Sequence, residues 1–191
     1  MASEVETVNA RARATSTPPS ASPITVVGRQ AIRNRAGRVV AHELLFRTPG
    51  ASAAHVTDGE AATAEVLVSA ITDIGLDELV GDRKAFVNVP HRFLVDGLCR
   101  ILPPERVVLE ILEDVPVTDE VVASVAALVD EGYTIALDDF EFRPELEPLV
   151  DLAHIIKVDV LALSDRELAT TLERLDVARG PGQGRGQGQT G

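Results

Sequence analysis

Acids, amides and cations recur at the points where a series of apolar runs stops. The groups are Glu43 and Arg47, Asn88, Glu110 and Glu113, Asp138 and Asp139, and Lys157 and Asp159. Carboxylates and an amide are hard oxygen donors, the ligands that Mg²⁺, Mn²⁺ or Ca²⁺ require. The sharpest instance is Tyr133 to Asp139, Y-T-I-A-L-D-D, a short apolar run that ends in two adjacent acids. Two neighbouring acids also suit a turn or a helix cap, and taken alone they fit that role better. Convergence alters the balance. Two ionised carboxylates about 4 Å apart repel by about 4 kcal/mol at an effective dielectric near 20, so several acids brought together call for a cation.

The elements that must position these groups can be read along the chain. Ile24 to Ile32 and Arg38 to Arg47 are expected strands around the turn Asn34 to Gly37, a hairpin-like entry. Thr48 to Asp58 is expected as loop and Gly59 to Val80 as helix. Lys84 to Val89 is expected as a strand stopped by Pro90, which has no N–H to continue a ladder. A short helix over His91 to Leu102 precedes a strand at Arg106 to Leu112. Thr118 caps a helix over Asp119 to Asp130, and the strand ending in Asp138 follows. Helix at Pro144 to Leu152, strand at His154 to Val158 and a capping box at Ser164 and Glu167 complete the series. Strands alternating with helices predict a parallel α/β sheet, whose ligands bind beyond the carboxyl ends of the strands.

Bulk properties narrow the classes of function. The 191 residues, 45% hydrophobic and 25% charged, suffice for one domain with a real core but are short for a complete eight-stranded α/β barrel. Net charge is −12. The first 22 residues are neutral by charge and residues 177–191 are basic, so the middle is more acidic than the whole. That excludes a grip on duplex nucleic acid through its phosphates. Single Cys99 permits no internal disulfide and no multi-cysteine zinc site, and its neighbours Leu98 and Ile101 suit a small apolar filler. That cysteine usage fits the cytoplasm, the expected location, and no run reaches the roughly 20 apolar residues of a membrane span. Residues 1–22 are expected to be a disordered leader, 23–176 the domain, and 177–191 a disordered Gly/Gln-rich tail. His42-Glu43 is not a zinc-protease motif, since position 46 is Phe46, and His55, His91 and His154 show no ligand spacing. The glycines from Gly180 onward form no phosphate loop.

The run from Gly28 to Arg47, G-R-Q-A-I-x-N-R-A-G-R-V-V-A-H-E-L-L-F-R, resembles the opening of EAL-type cyclic-di-GMP phosphodiesterase domains, with E-L-L at Glu43 to Leu45 for E-A-L. F-V-N-V at Phe86, L-E-I-L-E at Leu109, A-L-D-D-F at Ala136 and I-K-V-D at Ile156 keep the family's order across residues 24–176. E-L-L-F-R and I-L-E-D-V resemble the divergent subgroup usually followed by an HDOD domain. The resemblance implies an incomplete TIM-type (β/α) barrel lacking its last two strands, truncated at the C-terminus. It implies that Glu43, Asn88, Glu110 and Asp138 are ligands of a first Mg²⁺ or Mn²⁺, and that Asp138 and Asp139 serve a second. It makes Lys157 the stabiliser of the attacking water or developing charge, Arg47 a phosphate contact and Glu113 a brace for the loop after Asp139. Apart from the resemblance, Lys157 is a strand-end cation suited to pair with Asp159.

Two departures weigh against turnover. The family's D-D-F-G is D-D-F-E here, with Glu141 for the glycine, and Pro90 replaces a serine. The missing strands would also supply a further glutamate and a glutamine. The expected function is therefore an inactive, degenerate signalling module that binds a nucleotide, with cyclic-di-GMP the candidate the resemblance implies, or a protein partner, a second copy included. An active phosphodiesterase and a fragment without independent function are the alternatives.

Overall fold

The structure, a computed structural model, describes residues 5–8, 26–47, 74–141 and 143–179. The entry hairpin forms because Asn34 makes its own turn: its Oδ1 accepts from the N–H groups of Ala36 and Arg38, and Gly37 takes φ 75°. Strands β1 (Val5–Val8), β2 (Val26–Arg33) and β3 (Val39–Arg47) pair antiparallel. From β3 onward every neighbour is parallel: β4 (Lys84–Val89), β5 (Val107–Ile111), β6 (Thr134–Leu137) and β7 (Ile155–Ile156), in simple sequence order. Among the described residues no ladder joins β7 back to β1.

Helices return the chain between the parallel strands: α1 (Leu76–Val80), α2 (His91–Val95), α3 (Asp119–Asp130), α4 (Glu147–Leu152) and α5 (Asp165–Arg179). Helix α3 shows why the expected boundaries were accurate. Thr118 accepts from the N–H of Val121 at 3.2 Å, and Asp119 and Glu120 favour the positive N-terminal end. Val121, Val125 and Leu128 lie on one face and are buried. Gly132 then takes φ 93° as Tyr133 N–H returns to the Leu128 carbonyl, which closes the helix and starts β6.

The strands alternate between two environments. Leu44, Val87, Leu109, Ile111, Ile135 and Leu137 face the helices in the main core. On the opposite face, Ala41, Phe86, Val108 and Ala136 form a smaller apolar layer with Ile32 and Ile155. Two residues further along each strand, that second face becomes polar. The sheet is strongly curled: β3 and β7 are four strand spacings apart, about 19 Å if flat, yet side chains from their ends meet at 3.3 Å. An open stretch of (β/α) barrel wall is thus the architecture, as the alternation of strands and helices predicts. Among the described residues no helix is long and apolar enough to cross a membrane.

Several expectations change in detail. The leader was expected to lack structure, but Val5–Val8 adds an edge strand, which gives the outer backbone groups of β2 a partner. The expected helix from His91 to Leu102 breaks at Gly97, which adopts φ 71°, and resumes as a 3₁₀ turn at Leu98–Ile101. The last strand shrinks from five residues to Ile155–Ile156, while α5 continues past Val177 to Arg179. The loop expected at Thr48 to Asp58, residues 59–73 of the expected helix and the tail beyond 179 lie outside the described residues.

One buried hydrogen bond clamps the 3₁₀ turn to the sheet. Tyr133, 4% exposed, donates its hydroxyl to the carbonyl of Leu102 at 2.7 Å, with that of Cys99 at 3.2 Å. Tyr133→Phe leaves both carbonyls without this donor and is expected to cost about 1–3 kcal/mol, read as a lower denaturation midpoint with an unchanged slope.

Candidate functional site

The polar ring is made by strand register. Phe86 lies opposite Glu43, Asn88 opposite Glu110 and Ala136 opposite Glu110 on the other side, so these positions share the inner face. Asp138 lies one residue past β6, and its N–H still bonds the Ile111 carbonyl at 2.9 Å. Lys157 lies one residue past β7, with its N–H on the Leu137 carbonyl at 2.8 Å. The carbonyl of Lys157 accepts from Phe140 N–H at 3.0 Å, which ties the loop after Asp138 to the end of β7. Main-chain ladders therefore hold the acids and the lysine, as a preorganised site needs.

Carboxylate oxygens of Glu43, Glu110 and Asp138 lie within 4.8 Å of one another, a group that could hold a metal ion. Lys157 Nζ stands among them, 2.6 Å from Glu110 Oε1, 2.7 Å from Asp138 Oδ1 and 3.3 Å from Glu43 Oε2. Glu110 is fully buried, and its pKa is raised to about 7. Burial is the main cause, opposed by the hydrogen bond and charge of Lys157 and reinforced by Glu43 and Asp138. Burial also works against the Lys157 ammonium, but its hydrogen bonds to Asp138 and Glu110 prevail and its pKa is raised. One ammonium facing three acids leaves the cluster short of positive charge.

Two buried oxygens point to what would complete it. Among the described residues, Asn88 Oδ1 and Glu110 Oε2 have no hydrogen-bond partner. Unpartnered buried acceptors are rare and costly, and a cation satisfies lone pairs where no donor is at hand. The donor set is entirely oxygen, so the residues fit a hard divalent ion.

Not every expected residue joins the cluster. Asp139 is exposed and takes φ 43°, and its N–H donates to Asp138 Oδ1 at 3.0 Å. Among the described residues, no second group of three metal-ligating side chains accompanies the first. Glu113 is exposed, and the tie to the following loop uses its main-chain carbonyl, which accepts from Arg143 at 2.6 Å. Asp159 caps its own turn by accepting from Leu161 N–H and is not the partner of Lys157. Arg47 ends β3 opposite Val26, and its side chain is outside the described residues. The sequence reading passed over Gln30, which sits directly opposite Glu43 in the hairpin ladder. The alternation of Gln30 with Ile32 was the available signal.

A curled, mainly parallel sheet with acids at the carboxyl ends of its strands is the fold of EAL-domain proteins, and solved structures agree. The EAL enzyme Bd1971, in its form with cAMP and cyclic-di-GMP bound, superposes with a TM-score of 0.57 at 16% identity, covering 81% of this chain and 52% of that one. The EAL domain of Mycobacterium smegmatis DcpA gives 0.56 at 22% identity, covering 82% and 78%. Bacillus subtilis YkuI, an EAL-domain protein in complex with cyclic-di-GMP and calcium, gives 0.55 at 18%, covering 80% and 45%.

In sequence, the chain is 34% identical over 152 residues to the uncharacterized Bacillus subtilis protein YuxH, covering 77% of this chain and 37% of YuxH. It is 34% identical over 140 residues to the cyclic di-GMP phosphodiesterase CdgJ of Vibrio cholerae, covering 73% and 32%. The chain thus spans about a third of the length of these curated relatives. No family model matches it.

Proposed function

We propose that this chain is an EAL-type signalling module that binds a cyclic dinucleotide of the cyclic-di-GMP kind with the help of one divalent cation, and does not hydrolyse it. The observation that carries the reading is the meeting of Glu43, Glu110 and Asp138 within 4.8 Å, beside two buried oxygens without donors. Glu43, Asn88, Glu110 and Asp138 would hold Mg²⁺ or Mn²⁺, which supplies charge and Lewis acidity toward a phosphodiester oxygen. Lys157 keeps its proton, draws the carboxylates together and is the donor nearest to a phosphate brought to the acids. Arg47, four residues beyond Glu43, is the proposed second phosphate contact.

The inactive reading rests on Asp139. Phosphodiester hydrolysis by two metals needs both ions about 3.5–4 Å apart, whereas Asp139 is exposed and Glu141 occupies the loop position where the resemblance expects glycine. E-L-L-F-R and I-L-E-D-V resemble the subgroup associated with HDOD domains, which supports a role in which a protein partner reads the ligand state.

Calorimetry with cyclic-di-GMP and Mn²⁺ tests the reading. Saturable binding is expected, weakened at least about tenfold by Glu43→Gln, with no linear dinucleotide on chromatography. Linear product that disappears in Glu43→Ala would replace it with an active phosphodiesterase. Absence of both heat and a cooperative melt would leave the fragment reading.

A further inference from the structure

Helix α5 presents a polar stripe to the loop that follows Asp138. Glu167, Thr170, Thr171 and Arg174 recur at i, i+3, i+4 and i+7, one side of a helix. Between them and Phe140-Glu141 lies a cavity of about 610 Å³, the size of many small-molecule sites. A contact that merely packs helix on loop is apolar and filled; this one is open and lined by charged and hydroxyl side chains as well as apolar ones.

Its chemistry favours an anion with a flat body. Arg166 and Arg174 line it together with the hydroxyls of Thr170 and Thr171. The Thr170 hydroxyl donates to the Arg166 carbonyl at 2.9 Å. Glu167 is already engaged, since its carboxylate accepts from Ser164 N–H at 2.8 Å and from the Ser164 hydroxyl at 2.6 Å. That leaves Glu141 as the exposed acid of the lining, with Leu163 as apolar wall over the buried Phe140.

We infer that this cavity is a second ligand site, separate from the strand-end carboxylates, for a small organic phosphate the size of a nucleoside monophosphate. Arg166 takes the phosphate, because a guanidinium matches two of its oxygens at once, with Arg174 adding positive charge to the same lining. The ring lies against Leu163, and its amino group donates to Glu141. The location matters because Phe140 N–H bonds the Lys157 carbonyl. The cavity and the acid cluster therefore share one short loop.

Calorimetry on the full chain with adenosine 5′-monophosphate is expected to show saturable binding. Arg166→Ala weakens it at least about tenfold, and adenosine, which lacks the phosphate, binds at least about tenfold more weakly. Arg35→Ala, an exposed arginine in the hairpin turn, leaves it unchanged. Amide exchange slows over residues 163–174 and at Phe140 and Glu141. No saturable heat, equal affinity for adenosine, or equal losses in both arginine variants overturns the proposal. So does protection centred on Glu43, Glu110 and Asp138, which would put the nucleotide at the strand ends.

Discussion

Lys157→Met is expected to destabilise the protein by about 3 kcal/mol at pH 7.5, a fall of about 10 °C in melting temperature for a domain of this size. The lysine is bonded to Glu43, Glu110 and Asp138 together, which are 14%, 0% and 11% exposed. Removing it leaves buried carboxylates facing one another without compensation. The figure sits at the low end of the range for a broken buried pair because Lys157 itself is 29% exposed, so water screens part of the loss. The deficit should shrink at pH 5.5, where Glu110, its pKa raised to about 7, takes up a proton. It should also shrink in Glu110→Gln/Lys157→Met, because one repelling charge is gone; the difference is a coupling energy. A single variant melting within about 2 °C of the parent would mean that the acids splay into water and need no lysine.

That cluster marks how far the sequence could be read. The acids were legible because each closes an apolar run, and runs alternating with helices have one parallel arrangement that brings their ends to one rim. Gly132 and Thr118 made the limits of α3 and β6 legible through local geometry alone. Lys157 was harder. Its neighbour Asp159 was the natural partner by proximity in sequence, but Asp159 folds back on Leu161, and the lysine instead reaches across the curl to Glu43, 114 residues away. Curl is set by the accumulated twist of seven strands, and no local pattern announces it. The edges were misread for a related reason. Val5–Val8 is a strand only because β2 offers it a row of unpaired groups, and the run after β7 ends early because the chain turns at Asp159, whose side chain accepts from Leu161 N–H. Asp139 resembles a ligand in the motif, yet its left-handed backbone and exposure are tertiary facts that D-D-F-E does not reveal.

The second large effect concerns pH and divalent ions together. Glu110 has its pKa raised in the folded state to about 7 from an ordinary 4.5. A raised pKa means that the folded protein holds the proton more tightly, so this contribution is full below about pH 4.5 and is lost as pH rises through about 7. The shift corresponds to about 3 kcal/mol. Without added metal, stability should therefore fall between pH 5 and 8, and Glu110→Gln, which cannot titrate, should flatten that slope. Mn²⁺ reverses the trend because it competes with the proton for the same oxygens: its binding strengthens as Glu110 ionises. At a hundredfold excess over its dissociation constant it should add about 2.7 kcal/mol, mostly above pH 7. Thermal melts at pH 5, 6, 7 and 8, with and without Mn²⁺, measure both slopes in one series. Stabilisation by Mn²⁺ that is flat in pH, or that survives Glu110→Gln and Asp138→Asn, would place the ion elsewhere. The carboxylates would then be a structural knot tied by Lys157 alone.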